Sequence, residues 1–141
     1  MNNLIINNIN DLVGEKKVIP KIFTTITDSK KIYNLENNVD FKVNDYKGKE
    51  IKLKDVYIKV LRIPLEEKKI SKDNKEYDYE LKKICILVDD KDKSYITASK
   101  MFTNQMIDFI NMFGLDEVVE IRIIEKQVKG SDHKALGFEL V

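Results

Sequence analysis

The chain of 141 residues contains one cysteine, one histidine and no tryptophan. One cysteine excludes an internal disulfide framework, and Cys85 lies in the apolar stretch KKICILVDD, where we expect a structural thiol. The only histidine, His133, lies in the polar turn KGSDH, and no Ser/His/Asp or Cys/His pair can be assigned. A glycine-rich phosphate loop is absent as well. These absences predict a protein that is not an enzyme and needs no cofactor or small-molecule substrate.

Long apolar runs and an excess of charge are also missing. No stretch approaches the roughly 20 apolar residues that cross a bilayer. The N-terminus lacks the basic start and unbroken apolar segment of a signal peptide. We therefore expect a soluble protein of a reducing compartment, without a membrane partner. With 25 Lys and Arg against 24 Asp and Glu, the net charge of +1 does not by itself indicate a polyanion partner.

The length and the 43% hydrophobic content fit one compact domain. Residues 1–18 are Asn-rich, and we interpret them as an N-terminal arm, either flexible or involved in self-association, before a domain of residues 19–141. After a first strand, Ser29 is expected to cap a short helix. The segments DFKV and EIKLKDVYIKVLRI then predict a hairpin across a turn in which Gly48 adopts positive φ.

The stretch EIKLKDVYIKVLRI changes the parity of its apolar residues midway. A bulge near Asp55 would keep five of them on one face: Ile51, Leu53, Val56, Ile58 and Val60. The following residues 64–80 are charged and lack a sustained period, which predicts a long loop at a hairpin tip. Further alternating stretches bring the expected total to about seven short strands.

One long helix is predicted late in the chain. Ser99 is a suitable N-cap, Gly114 a suitable end, and apolar residues recur between them at helical spacing: Phe102, Met106, Phe109, Ile110 and Phe113. A helix between the third and fourth principal strands that closes one end of a small barrel is the arrangement of the OB fold. We therefore predict a mainly β, OB-like barrel with one capping helix and a short N-terminal helix.

Positive charge is concentrated in one part of the chain. Residues 47–83 hold 12 basic and 8 acidic side chains, interleaved with Tyr57, Tyr77 and Tyr79. Proteins that bind single strands combine a basic track with aromatic rings on which bases stack. A solvated sheet from an AT-rich gene would also be rich in lysine and tyrosine, so both interpretations stay open.

Three aspartates in the turn DDKDK, Asp89, Asp90 and Asp92, raise the question of a metal site. A calcium loop of the EF-hand type would need Gly at its sixth position and Glu at its twelfth, where this chain has Ser94 and Lys100. We interpret the cluster as a solvated turn that binds no metal.

The order of segments resembles the small single-stranded-DNA-binding proteins of protein-primed tailed phages that infect Gram-positive bacteria. The stretches that carry the likeness are TTITDSKKIYNLENNVDFKV, GKEIKLKDVYIKVLRI and SYITASKMFTNQMIDFINMFGLDEVVEIRIIEKQVKGSDHKALGFELV. The resemblance implies an OB-fold protein of the host bacterial cytoplasm that coats and protects single-stranded DNA during phage or mobile-element replication. Little sequence preference is expected, and the partner would be single-stranded DNA.

The family's use of tyrosines for stacking suggests candidate residues here. Tyr57 is the first, because its parity lies opposite the apolar face; Tyr77 and Tyr79 follow, and Tyr33 is expected in the core. The proposed phosphate contacts are Lys52, Lys54, Lys59, Arg62, Lys82 and Lys83.

Three alternatives remain. An OB-like phage module that binds and inhibits a host protein is favoured by the near-neutral charge, and would be supported by an exterior apolar patch at Leu61, Ile63 and Leu65. An RNA-binding OB protein would use the same face. A nuclease would require metal at Asp89, Asp90 and Asp92.

Overall fold

The computed structural model describes residues 4–6, 19–70, 76–130 and 132–141, with side chains described for 21–64, 80–130 and 132–141. This part of the chain forms eight strands, two α-helices and a short 3-10 turn at Val43–Tyr46. The helices are α1 (Ser29–Asn37) and α2 (Lys100–Phe113). The strands are β1 (Leu4–Ile6), β2 (Ile19–Thr24), β3 (Phe41–Lys42), β4 (Glu50–Ile70), β5 (Glu76–Asp89), β6 (Ser94–Thr97), β7 (Val119–Gln127) and β8 (Lys134–Leu140).

Strand β4 organises the sheet. Along one edge it pairs with β5, and along the other it pairs first with β7 and then with β2. A register shift between Leu53 and Asp55 confirms the predicted bulge. The bulge keeps one apolar row facing the main core in spite of the change of parity: Ile51, Leu53, Val56, Ile58 and Val60.

The order β4, β5, β6, α2, β7, β8 places a helix between the third and fourth of five strands, as in an OB fold. The sheet curls because β7 pairs with the beginning of β4 as well as with β8. The predicted mainly β, OB-like fold with a capping helix is therefore confirmed. In the part of the chain that the structure describes, neither helix has the length and apolar character needed to cross a membrane.

Helix α2 covers the inner face of the sheet, which faces the main core. Ser99 caps it by accepting a hydrogen bond from the Phe102 N–H, and Gly114 ends it at φ +74°, both as predicted. Phe102, Met106 and Phe109 are buried, whereas Phe113 is 66% exposed at the last turn. The expectation that Phe113 faces the core is wrong, although its ring centroid lies 5.5 Å from that of Phe109.

Helix α1 covers the opposite, outer face of β4, β5 and β6. Its N-cap is Asp28, which accepts a hydrogen bond from the Lys30 N–H, so the expectation that Ser29 caps it is wrong. Ile26 and Leu35 pack there against the sheet in a second, smaller core completed by Tyr57, Ile86 and Val88. Tyr33 points away from this core and is 68% exposed, which contradicts its predicted burial.

The predicted hairpin between DFKV and β4 does not form. Strand β3 instead pairs in parallel with β6, and the residues after it make the 3-10 turn. Gly48 adopts φ +79°, as predicted. The N–H of Gly48 donates to the Ile123 carbonyl, so this segment joins β7 and helps to close the barrel.

Apart from residues 71–75, which lie outside the described residues, the charged stretch 64–80 forms two strands and not the predicted loop. Strand β4 continues to Ile70 and β5 begins at Glu76, with a register shift between Pro64 and Lys69. We call residues 63–70 and 76–80 the arm. In the described residues neither β2 nor β6 pairs with the arm, so its two outer edges have no neighbouring strand there.

Candidate nucleic-acid interface

The leading candidate for base stacking, Tyr57, is buried with 1% of its surface exposed. Its parity is opposite the main core, as predicted, but α1 covers that face. The Tyr57 hydroxyl donates a hydrogen bond to the Glu36 carboxylate of α1, and burial raises the pKa of the phenol far above its ordinary value. Tyr57 is therefore a core residue, and the expectation that its ring faces a ligand is wrong.

Two of the proposed phosphate contacts are engaged by carboxylates on the outer face. Lys59 Nζ lies 3.2 Å from Glu36 Oε1. Lys54 Nζ and Lys31 Nζ lie 3.0 and 3.1 Å from the same oxygen, Asp92 Oδ1. Hydrogen bonds from Lys54 and Lys31 lower the pKa of Asp92. Because Lys54 and Lys59 each have an acidic partner, these two lysines offer little net charge to a polyanion.

The other aspartates of the turn have structural environments. Asp89 is nearly buried; its Oδ1 accepts hydrogen bonds from the N–H groups of Lys91 and Lys93, and its Oδ2 accepts one from the Tyr95 hydroxyl at 2.7 Å. Asp90 is exposed. Within the described ranges, no group of three or more His, Cys, Asp or Glu side chains is arranged to hold a metal ion.

The single cysteine and the single histidine lie on different elements of the fold. Cys85 is fully buried on β5, in agreement with the predicted structural thiol, and burial raises the pKa of its thiol. His133 is exposed in the turn between β7 and β8.

A row of side chains crosses three strands on the inner face, just beyond the barrel core. Lys21 of β2 lies opposite Val60 of β4, and Val60 lies opposite Lys83 of β5. Residues directly opposite one another in an antiparallel pair share a face. Arg62, two residues along β4, lies on the same face and opposite Leu81. We call Lys21, Arg62 and Lys83, with Val60 and Leu81 between them, the cationic face.

The cationic face is open to solvent. Lys21 and Arg62 are exposed, and Leu81 is 42% exposed. Lys83 Nζ lies 2.5 Å from Asn104 Oδ1 of α2, a neutral partner that leaves the lysine charge in place. Among the described side chains, no carboxylate pairs with Lys21 or Lys83. Strands lie about 4.8 Å apart, so these two lysines are separated by roughly 10 Å across the sheet.

The structure brings together only some of the predicted site residues. Arg62 and Lys83 share the cationic face, whereas Lys82 lies opposite Leu61 on the outer face, and Lys52 lies at the other end of β4 opposite Glu120. Tyr77 and Tyr79 stand on the arm, where their backbones pair with Lys69 and Pro64; their side chains, like that of Leu65, lie outside the described residues.

Lys21 was missed by the sequence analysis. It stands before the basic stretch 47–83, in a strand whose pairing partner was unknown. The register of β2 on β4 is what brings it opposite Val60. Alternation in IPKIFT indicates which face of the sheet the Lys21 side chain lies on, but not which residues of other strands lie beside it.

Compared with protein-family models, curated proteins and solved structures, the chain matches none of them. Its likeness to the phage single-stranded-DNA-binding proteins stays a prediction from the sequence.

Proposed function

We propose that this chain is a single-stranded-DNA-binding protein that coats DNA during phage or mobile-element replication in the bacterial cytoplasm. The observation that carries the proposal is the cationic face, in which three neighbouring strands each contribute a basic residue to one surface. An OB-like fold with an extended arm beside this surface supports it further, because OB folds bind oligonucleotides with strands and adjacent loops.

The composition of the face favours single strands over duplex DNA. Val60 and Leu81 provide an apolar floor between the cations. A single strand has unpaired bases that can contact such a floor while the phosphates meet the lysines. Duplex DNA presents its phosphates and the edges of its stacked bases, so it would leave the apolar floor uncovered.

The same composition predicts little sequence preference. Base sequence is read mainly by bidentate hydrogen bonds from Arg, Asn and Gln to base edges. Of the three cations on this face, Lys21 and Lys83 end in point charges, and Asn104 already engages Lys83, so only Arg62 has a planar group suited to base edges. We therefore expect affinity to depend on phosphate charge and on salt.

Anisotropy of a labelled oligo(dT), titrated with the protein at about 50 and 200 mM salt, tests the proposal. The Lys21→Gln/Lys83→Gln double variant should bind about tenfold more weakly at low salt. The slope of log affinity against log salt should fall by roughly 1.4, because each lost contact with a single strand contributes about 0.7. Lys30→Gln/Lys91→Gln is the matched control, since both lysines are exposed and lie away from the cationic face.

Absence of binding by the unmodified protein at low salt would refute the proposal. Equal losses in the two double variants would refute the assignment of the face. Titration with oligo(U) distinguishes the RNA alternative, which requires tighter binding to the ribose form. The host-protein alternative has less support, because Leu61 and Ile63 are only half-exposed.

A further inference from the structure

Phe41 is an exposed aromatic residue with an unusual setting. It lies on the edge strand β3 with 40% of its surface exposed. Behind it lie two tyrosine rings, Tyr46 with a centroid 5.5 Å away and Tyr95 at 5.3 Å. Tyr46 and Tyr95 meet edge to face at 4.9 Å. We call these three residues the aromatic triad.

The triad is rigidly mounted. The Asp40 N–H donates to Ser94 Oγ, and the Ser94 N–H donates to Asp40 Oδ2, both at 3.0 Å. These reciprocal bonds fasten β3 to β6. The Tyr95 hydroxyl is held by nearly buried Asp89. The backbone next to Phe41 and the Tyr95 ring behind it are therefore held in place, which lowers the entropy cost of stacking a flat ligand on Phe41.

A cation stands beside the triad. Lys49 Nζ lies 5.2 Å from the centroid of the Tyr46 ring. Two other aromatic residues in the described ranges, Tyr33 and Phe113, are more exposed, but Phe113 has a single ring neighbour and Tyr33 has none. Among the described side chains, Phe41 alone combines an exposed ring, two supporting rings and a positive charge beside one of those rings.

The triad lies on the same side of the sheet as the cationic face. Phe41 is opposite Tyr95, and Tyr95 is opposite Leu87, which has the same parity on β5 as Lys83. Four residues along β5 and two strand spacings across the sheet separate Lys83 from Phe41 by roughly 16 Å. Cys85 and Leu87 lie between the two sites and are buried beneath α2, so a strand that contacts both sites would pass around α2 and not straight across the sheet.

We propose that Phe41 is a base-stacking subsite for an unpaired nucleobase, and that Lys49 contacts the phosphate next to that base. This inference rests on the proposed function and assigns to Phe41 the stacking role that buried Tyr57 does not fill. Every base has a π-face, so the subsite adds affinity without adding sequence preference.

The test compares oligo(dT) with an abasic oligomer of the same length, because only the former can stack. The unmodified protein should bind oligo(dT) about tenfold more tightly than the abasic strand. Phe41→Leu keeps an apolar side chain but removes the aromatic face, so most of this ratio should be lost while the salt slope stays unchanged. Phe113→Leu, at an exposed ring on α2, should retain the ratio.

The outcomes separate the two proposals. If the unmodified protein binds neither strand, the proposed function fails. If it binds both strands and Phe41→Leu preserves the ratio, the function stands and the subsite is wrong. The Lys21→Gln/Lys83→Gln variant should weaken binding to both strands and leave their ratio unchanged. Urea unfolding of each variant shows whether a loss of binding comes from a loss of the fold.

Discussion

The two helices cover opposite faces of one sheet, and they are attached in different ways. Helix α2 buries Phe102, Thr103, Met106 and Phe109 in the main core. Helix α1 is shorter and buries only Leu35 of its own residues. It depends instead on polar contacts with the sheet, from Glu36 to Tyr57 and Lys59 and from Lys31 to Asp92.

This difference between the helices determines which face of the sheet is open to a ligand. Because α1 covers the outer face, the aromatic ring and the two lysines that pointed there are used in packing and ion pairs. Helix α2 leaves the inner face of β2, β4 and β5 open beyond the barrel, and the cations of this inner surface remain accessible. Ligand binding is therefore expected beside α2 and not beside α1.

The sharpest way to test this comparison is Tyr57→Ala. Loss of a buried aromatic side chain should lower the free energy of unfolding by about 3–5 kcal/mol, and it leaves the Glu36 carboxylate without its hydroxyl donor. Tyr33→Ala, at an exposed position of α1, should change it by less than about 0.5 kcal/mol. Urea unfolding measures both. A stable Tyr57→Ala protein that binds no DNA would reverse the assignment of the two faces.

A second prediction concerns how α2 is held to the sheet edge. The Gln105 amide donates to the Phe138 carbonyl at 2.6 Å and accepts from the Phe138 N–H at 3.1 Å, as a neighbouring strand would. Gln105→Ala should cost about 1–3 kcal/mol, because both backbone groups lose their partner. Exposure of the β8 edge should also promote self-association, measurable by sedimentation.

Two further substitutions check that interpretation. Asp108→Ala, at an exposed position of the same helix, should leave stability and sedimentation unchanged. Gly137→Ala should reproduce part of the Gln105→Ala effect, because an added Cβ would lie 3.1 Å from Gln105 Oε1 and 3.0 Å from Lys126 Cε. If Gln105→Ala is as stable and monomeric as the Asp108 control, the amide does not protect the edge.

The cap of α1 gives a smaller effect. Asp28→Ala should destabilise the protein by about 1 kcal/mol, since the Lys30 N–H loses its acceptor. Ser29→Ala should have little effect, because Ser29 is the first helical residue and not the cap. Thermal unfolding compares the two, and a larger loss for Ser29→Ala would restore the cap expected from the sequence.

The smallest expected effect is in the pH dependence of stability. The pKa of Asp92 is lowered by hydrogen bonds from Lys54 and Lys31. Because its pKa is lower in the folded than in the unfolded state, ionised Asp92 stabilises the fold at pH values above its ordinary pKa near 3.8. This contribution is lost as the pH falls through the pKa of the folded state. Asp92→Asn should therefore lose less stability than the unmodified protein between pH 5 and about pH 3.

Asp90→Asn serves as the control for that titration, since Asp90 is exposed in the same turn. Asp90 pairs with no lysine among the described side chains, so Asp90→Asn removes a charge from the same turn without breaking an ion pair. Asparagine tolerates the positive φ of 62° at position 92, so the comparison reports charge and not backbone strain. Identical acid profiles for the two Asn variants would mean that the lysine pairs contribute nothing measurable.

Several features encoded within a single segment could be predicted from the sequence, although the cap of α1 is Asp28 and not the expected Ser29. The caps of α2 at Ser99 and Gly114 could be predicted because capping involves only neighbouring residues. The bulge near Asp55 was readable because the apolar parity changes within one strand. Both patterns are local, and both are confirmed.

Features that depend on which elements meet could not be predicted in this way. Alternation showed that Tyr57 lies opposite the main core, but it could not show that α1 covers that side. The strand pairing of Phe41 with Tyr95 is parallel and joins residues far apart in the chain, so no turn sequence between the strands predicts it. Lys21 joins the cationic face through the register of β2 on β4, which a single sequence does not contain.

The three pairings of β4 have a consequence for the order of folding. Its pairing with β5 joins neighbouring segments, whereas its pairing with β7 joins Ile51 to Ile121, far along the chain. Loop closure disfavours the distant contact until nearer ones have formed. We therefore expect the β4–β5 hairpin to be structured in the transition state, so that substitutions there slow folding. Substitutions of residues in the β4–β7 pairing should mainly accelerate unfolding.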